Sequence, residues 1–333
     1  MSAGGFVTLG SPLIDIIAEV DKTFLDSFGL KENDAISLSG CRGEIFERVE
    51  ELKPKRLIGG CSINTARALQ WVLKRPNFCT VVGTVGDDDY GNAISAQLHA
   101  ETIRPILQRV PDDRTGRCVV LLNATNRSLC TELGASKRFD LEDLMKRDVW
   151  AAVREASYYY IPGFFLCVSR ECVLTVAKYS AGHAKTFAFN ISAPFIANLY
   201  RDDILELLPH VDILFGNEAE IRALADVLGY TGSNLGDILL QVNKLTKGIV
   251  VVTRGSGSVF TVDGLNVSEH LVEKLEEGRV KDTSAAGDCF VGGFLAGFIL
   301  KRPISECVAS GSDVARNVIQ SNGCWFVPNF RIN

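Results

Sequence analysis

Between Tyr158 and Thr253 the sequence switches repeatedly between two hydrophobic periods, and this alternation constrains the fold more than any other feature. Apolar runs at Tyr158–Pro162, Thr186–Asn190, Val211–Phe215 and Gly248–Thr253 predict strands. The intervening stretches Ser169–Ser180, Asn198–Leu208, Glu218–Leu228 and Leu235–Leu245 predict helices. Strands joined by helical crossovers run parallel, so the expectation is an α/β fold: a doubly wound sheet flanked by helices. Ligands in such sheets gather at the carboxyl ends of the strands. Phe6–Gly10 and Thr80–Gly86 add two further apolar strands, the second of them central.

A second constraint lies at Asp282-Thr283-Ser284-Ala285-Ala286-Gly287-Asp288, a small-residue turn bracketed by two aspartates. It runs into the apolar segment Phe290–Leu300, which stops at Lys301-Arg302-Pro303, so a buried helix is predicted to begin near Gly287. Such a turn leaves main-chain N–H groups pointing out of the helix start, a site for a phosphate favoured by the helix dipole. Small residues with an N-terminal Asp are also ordinary helix capping, and these residues alone leave both readings open.

Composition excludes several classes. A chain of 333 residues, 47% hydrophobic and 23% charged, has the balance of an ordinary globular protein. A formal net charge of −5 gives no basic footprint for nucleic acid or an anionic membrane. No apolar run reaches the roughly 20 residues that span a bilayer, and Met1–Gly5 lacks the pattern of a secretion signal. The ten cysteines show no CxxC pair or zinc-like spacing, so reduced, mostly buried thiols and a cytoplasmic location (the nucleus not excluded) are expected. Four separated histidines offer no metal cluster.

The run Asp282–Asp288 resembles the Asp-Thr-x-Gly-Ala-Gly-Asp motif of the ribokinase family of carbohydrate and nucleoside kinases. Within that family the resemblance is to the adenosine kinase branch, from about Leu9 to Pro328. It implies that Asp288 is the catalytic base, with Ala285, Ala286 and Gly287 forming an anion hole for the transferred phosphoryl. Gly59-Gly60-Cys61-Ser62-Ile63-Asn64 resembles the family's Gly-Gly-x-x-x-Asn motif, which assigns Gly59, Gly60, Cys61 and Asn64 to the ribose. Ser11-Pro12-Leu13-Ile14-Asp15 is similar to an Asn-Pro-Leu-Leu-Asp segment, which makes Asp15 the anchor for the ribose 2′ and 3′ hydroxyls. Arg127 matches a lid arginine that meets the phosphoryl. Phe164 and Phe195 follow predicted strands and match segments in which a Phe stacks on the nucleoside base, whereas Phe165 is expected in the core.

On the ATP side, the resemblance implies Asn190, Asn217, Thr253, Arg254 and Gly255. Asn217 and Glu220 match an Asn-x-x-Glu motif associated with Mg²⁺, with Glu220 acting on the metal together with Asn217 through water; two acids at a helix start are otherwise routine. The terminal helix, about Ile304–Gln320, is placed beside the ATP adenine. Asp87-Asp88-Asp89 reads as the acidic first turn of a helix reaching about Glu101.

The whole implies a ribokinase-like chain with a large α/β domain of about 1–10, 43–113 and 136–333. A small β-sheet lid of about 11–42 and 114–135 would hold strands Ile14–Val20 and Ala35–Ser39 and a hairpin of Arg117–Leu122 and Arg127–Glu132. The expected activity is ATP- and Mg²⁺-dependent phosphorylation of the adenosine 5′-hydroxyl to AMP in purine salvage, by a monomer. Three departures bear on it: Ala285 stands where the family has Gly, Ser284 and Ser11 where this branch has Asn. They keep open a weakened or inactive nucleoside-binding paralogue, or a kinase for another nucleoside or sugar.

Overall fold

The computed structural model describes residues 4–31, 35–37, 44–123, 126–230, 232, 234–276 and 278–327. The end of the expected Ala35–Ser39 strand, the expected boundaries at 42 and 43, and Pro328 lie outside the described residues. The strands are β1 (Phe6–Leu9), β2 (Leu13–Glu19), β3 (Ala35–Ser37), β4 (Lys55–Gly59), β5 (Cys79–Gly86), β6 (Arg104–Val110), β7 (Gly116–Asn123), β8 (Asn126–Glu132), β9 (Tyr158–Pro162), β10 (Thr186–Asn190), β11 (Ile213–Asn217), β12 (Ile249–Thr253), β13 (Val259–Asp263) and β14 (Asn266–His270). Packing divides the chain into two compact units: Met1–Gly10, Pro76–Val82 and Arg138–Lys274 in one, Ser11–Arg75, Gly83–Lys137 and Leu275–Asn333 in the other.

In the first unit the strand order is β14-β13-β12-β11-β10-β9-β1-β5. β5, β1, β9, β10, β11 and β12 run parallel, and β13 and β14 extend the sheet as an antiparallel hairpin. The parallel strands are buried on both faces, as Phe187-Ala188-Phe189 and Val250-Val251-Val252 illustrate. Their register sets Asn190 opposite Phe215 and Asn217 opposite Thr253, so Asn190, Asn217 and Thr253 all lie at carboxyl ends of neighbouring strands.

Two expectations change here. The Asn198–Leu208 helix is two, Pro194–Leu199 and Arg201–Leu207, because Pro194 starts a helix early and Tyr200 leaves helical geometry at φ −115°. The strand expected at Val211–Phe215 is Ile213–Asn217: Val211 and Asp212 instead donate and accept at the strand's entry.

In the second unit a five-stranded sheet runs β3-β8-β7-β2-β4, with β7 and β8 forming the expected antiparallel hairpin. β4 pairs antiparallel with β2, a fifth strand beyond the four expected. Three helices, Cys61–Leu73, Ala286–Ile299 and Ile304–Val318, pack in the same unit. The middle one is apolar nearly all round because it is buried on nearly every side. Small residues let its neighbours close in. A side chain at Gly292 would strike the Thr65 carbonyl and Ala68; one at Gly293 would strike the Ser310 carbonyl and Gly311.

Candidate active site

The second unit brings most of the expected phosphoryl and ribose residues onto two helix starts and two strands. Asp282 is a loop anchor: buried to 3% exposure, it accepts N–H bonds from Ser284 and Gly323, both at 2.7 Å. The loop it holds delivers Ala285 as N-cap of the Ala286–Ile299 helix at φ +59° and ψ 1°. This is the left-handed region, where a Cβ costs roughly 1–2 kcal/mol. An alanine in place of the family's glycine therefore carries left-handed strain here. The Ala285 methyl finds some return by packing on the cluster of Ala68, Cys289, Val314, Val318 and Cys324. No side chain caps this helix, so the first-turn amides at Gly287 and Asp288 stand as donors at the positive end of the dipole. Gly287 is exposed and a side chain there would meet nothing among the described residues, so its open face is room for a ligand.

Asp288 sits in this first turn, half-buried. Asn64 Nδ2 donates to its Oδ2 at 3.0 Å, and the Cys61 thiol neighbours the same carboxylate. Burial pushes the Asp288 carboxyl above its ordinary range, while Asn64, Cys61 and the nearby Arg127 charge pull it back. Asp15 on β2 shares the recess. Burial and then the charges of Asp288 and Asp282 raise it to about 7, against the opposing pull of Arg67. Gly59, at the end of β4, makes the space: a side chain there would overlap the Asp15 carboxylate. Gly60 is required twice, by its φ of +96° and by the close passage of the Ser11 carbonyl. Buried acceptors face this region without a partner among the described residues: Asn64 Oδ1 and Ser284 Oγ.

The first unit holds the remaining expected residues in two groups. Phe164 and Phe195 face one another with ring centroids 6.0 Å apart, Phe195 being 38% exposed. Phe165 is core, packed on Phe139. At the strand ends, Asn190 Oδ1 accepts from Ser192 N–H at 3.1 Å. Asn217 and Glu220 form a complete capping box: Glu220 N–H donates to Asn217 Oδ1 at 2.9 Å, Asn217 N–H donates to Glu220 Oε2 at 3.0 Å, and Asn217 Nδ2 donates to Oε1 at 2.6 Å. Each Glu220 oxygen thus accepts one hydrogen bond from Asn217. Arg254 donates to Glu218 Oε2 at 2.8 Å and lies over the Phe260 ring, while Gly255 turns the chain at φ +59°. Among the described residues no group of three or more His, Cys, Asp and Glu could hold a metal, and no helix is long and apolar enough to cross a membrane.

The sequence profile of the pfkB family of carbohydrate kinases matches residues 22–329. The chain belongs to that family. Among its curated relatives are Arabidopsis thaliana adenosine kinase 1, 33% identical over 330 residues (97% of this chain, 96% of that one), and the adenosine kinase of Schizosaccharomyces pombe, 32% identical over 323 residues (95% and 94%). The fold is that of solved adenosine kinases. Anopheles gambiae adenosine kinase in complex with P1,P4-di(adenosine-5) tetraphosphate superposes with a TM-score of 0.92 at 36% identity, covering 97% of this chain and 98% of that one. Schistosoma mansoni adenosine kinase in complex with 2-fluoroadenosine gives 0.91 at 27%, covering 98% of each chain.

Against this family background, some features of the site went unread in the sequence. The Asp282 tie to Gly323 and the Thr65 hydroxyl bond to the Asp288 carbonyl, 3.2 Å, join residues far apart in the chain, and no local pattern announces them. Of the acidic triplet expected in a first helical turn, Asp89 lies there, while Asp88 is the N-cap, accepting from Gly91 N–H at 2.8 Å and also binding Thr115. The fully reduced thiol set does not hold, since Cys130 is disulfide-bonded; spacing in the sequence carries no information on which sulfurs meet in space.

Proposed function

We propose that this protein is an adenosine kinase, transferring the γ-phosphoryl of ATP to the 5′-hydroxyl of adenosine to give AMP and ADP. One observation carries the reading: the Asp288 carboxylate is held by Asn64 at an uncapped helix start. Adenosine kinase relatives across nearly the full chain support the choice of substrate.

In this mechanism Asp288 accepts the 5′-hydroxyl proton as the oxygen attacks phosphorus. A carboxyl lifted above its ordinary range by burial is a better base than a solvated one. The amides of Gly287 and Asp288 and the helix dipole stabilise charge on the phosphoryl, the expected Ala286 N–H being engaged by the Thr283 carbonyl, and Arg127 adds a cation from β8. Asp15 accepts from the ribose 2′ and 3′ hydroxyls, with Gly59 and Gly60 giving the sugar room. Asn64 Oδ1 and Ser284 Oγ, buried without a protein partner among the described residues, are the further groups a nucleoside would satisfy. Phe164 and Phe195 supply an aromatic pair for base stacking, worth about 1–3 kcal/mol. Asn190, Thr253, Arg254 and Gly255 serve the nucleotide. Glu220 and Asn217 would hold Mg²⁺ through water, and the ion when bound neutralises phosphate charge. Strands β2, β3, β7 and β8 act as the lid of about 11–42 and 114–135 that keeps water from Asp288, the large domain being about 1–10, 43–113 and 136–333. The same reading takes the enzyme as a cytoplasmic monomer of purine salvage.

The test is product formation from ATP and Mg²⁺ with adenosine, inosine, guanosine and ribose in parallel. Turnover restricted to adenosine is expected. Preferred turnover of ribose or inosine would overturn the assignment, and binding of adenosine without turnover would mark a nucleoside-binding paralogue.

A further inference from the structure

On the helix Cys61–Leu73, residues 61, 64 and 65 stand three and four positions apart and so share one face. All three border Asp288. Asn64 Nδ2 donates to its carboxylate, Thr65 Oγ1 donates to its main-chain carbonyl, and the Cys61 thiol neighbours the carboxylate. The last contact is informative. A threonine inside a helix ordinarily turns its hydroxyl back to the carbonyl four residues earlier, here that of Cys61. Thr65, fully buried, instead crosses to the neighbouring helix and takes an oxygen whose helical partner would be the amide four residues on. One turn further, Gly292 closes directly on the Thr65 carbonyl and Ala68, which fixes the spacing of the two helices.

We propose that Cys61 and Thr65 are positioning residues for Asp288: with Asn64 they clamp it from one helix face, Thr65 holding its main chain and Cys61 its carboxylate. This rests on the reading of Asp288 as the base. The clamp has a consequence for titration. Asp288 is faced by Cys61 from the first helix, Asp15 from β2, Arg127 from β8 and Cys289 on its own helix. A hydrogen bond to the charged carboxylate lowers its proton affinity, so losing the thiol raises it.

Thr65→Val removes the hydroxyl at nearly constant shape, and Thr65→Ser restores it. Turnover by Thr65→Val is expected to fall about tenfold or more, since small misplacements of a reacting group are costly, with the adenosine KM within about twofold; Thr65→Ser should recover most of it. Cys61→Ala should move the acid limb of kcat/KM to higher pH, and Cys61→Ser to lower pH than Cys61→Ala. A readout free of activity is the alkylation rate of Cys61 by iodoacetamide at pH 8, followed on its own peptide by mass spectrometry. Removing the neighbouring charge in Asp288→Asn should speed it several-fold. Parental kcat in Thr65→Val, or an alkylation rate unmoved by Asp288→Asn, would overturn the clamp. If the parent makes no AMP, the kinase reading fails, and the alkylation comparison still decides whether Cys61 is coupled to Asp288.

Discussion

The helix starts at Asn217 and at Ala285 are built from similar polar groups and behave in opposite ways. At the first, Asn217 and Glu220 satisfy one another through three hydrogen bonds, and Glu218 is shared by Arg222 and Arg254. At the second, no side chain caps the helix, an alanine sits at positive φ, two carboxylates share a recess, and Asn64 Oδ1 and Ser284 Oγ are buried without a partner among the described residues. The first arrangement stabilises the fold and holds its strand end rigid. The second gives up stability locally, and a ligand carrying hydroxyls and phosphate is what would relieve it. Departures from local rules of this kind mark functional sites.

Substitutions can break this contrast in order of effect. Asp288→Asn is expected to lower turnover by about 10²–10⁴-fold, the usual span for a lost general base, while calorimetry shows adenosine affinity within a few-fold of the parent. Asp15→Asn should raise the adenosine KM by roughly 10- to 100-fold, since a hydrogen bond to a charged group is worth about 1.5–3 kcal/mol. The same variant should gain stability with pH. A carboxyl raised from 3.8 to about 7 in the fold binds a proton that the unfolded chain has released, so the parent loses stability as pH climbs through that window. Melting both proteins from pH 4 to 8 should show the Asp15→Asn advantage growing up to about pH 7 and then levelling.

Asn217→Ala tests the satisfied region. Loss of the cap should cost about 1 kcal/mol in urea unfolding and raise the Mg²⁺ concentration needed for half-maximal turnover. Unchanged stability would mean the box is not the support described above. Ala285→Gly should have the smallest effect, within about 1 kcal/mol of the parent in unfolding. Relief of left-handed strain is offset by lost methyl packing of about 0.8 kcal/mol and by the freer unfolded chain.

Legibility in the sequence follows the same division. β9 and β10 could be read to the residue, because a parallel strand buried on both faces is a short continuous apolar run. The place of β4 could not: Lys55 and Arg56 are exposed, and pairing with β2 is a tertiary choice that period does not encode. Asn217 and Glu220 at a spacing of three fit a cap and a metal site equally well, and only the hydrogen bonds reveal the capping box. Ala285 was legible only as a departure from the family's glycine; its left-handed φ follows from the course of the Asp282-anchored loop, since an N-cap is ordinarily extended. Cys61 gave no sign of its closeness to Asp288, which exists only because two helices start side by side.

The most direct test is AMP formation from adenosine, ATP and Mg²⁺ by the parent and by Asp288→Asn, measured side by side. The account predicts steady turnover by the parent and at least about a hundredfold loss in the variant. Near-parental turnover by Asp288→Asn, or a parent that binds adenosine and forms no AMP, would contradict it.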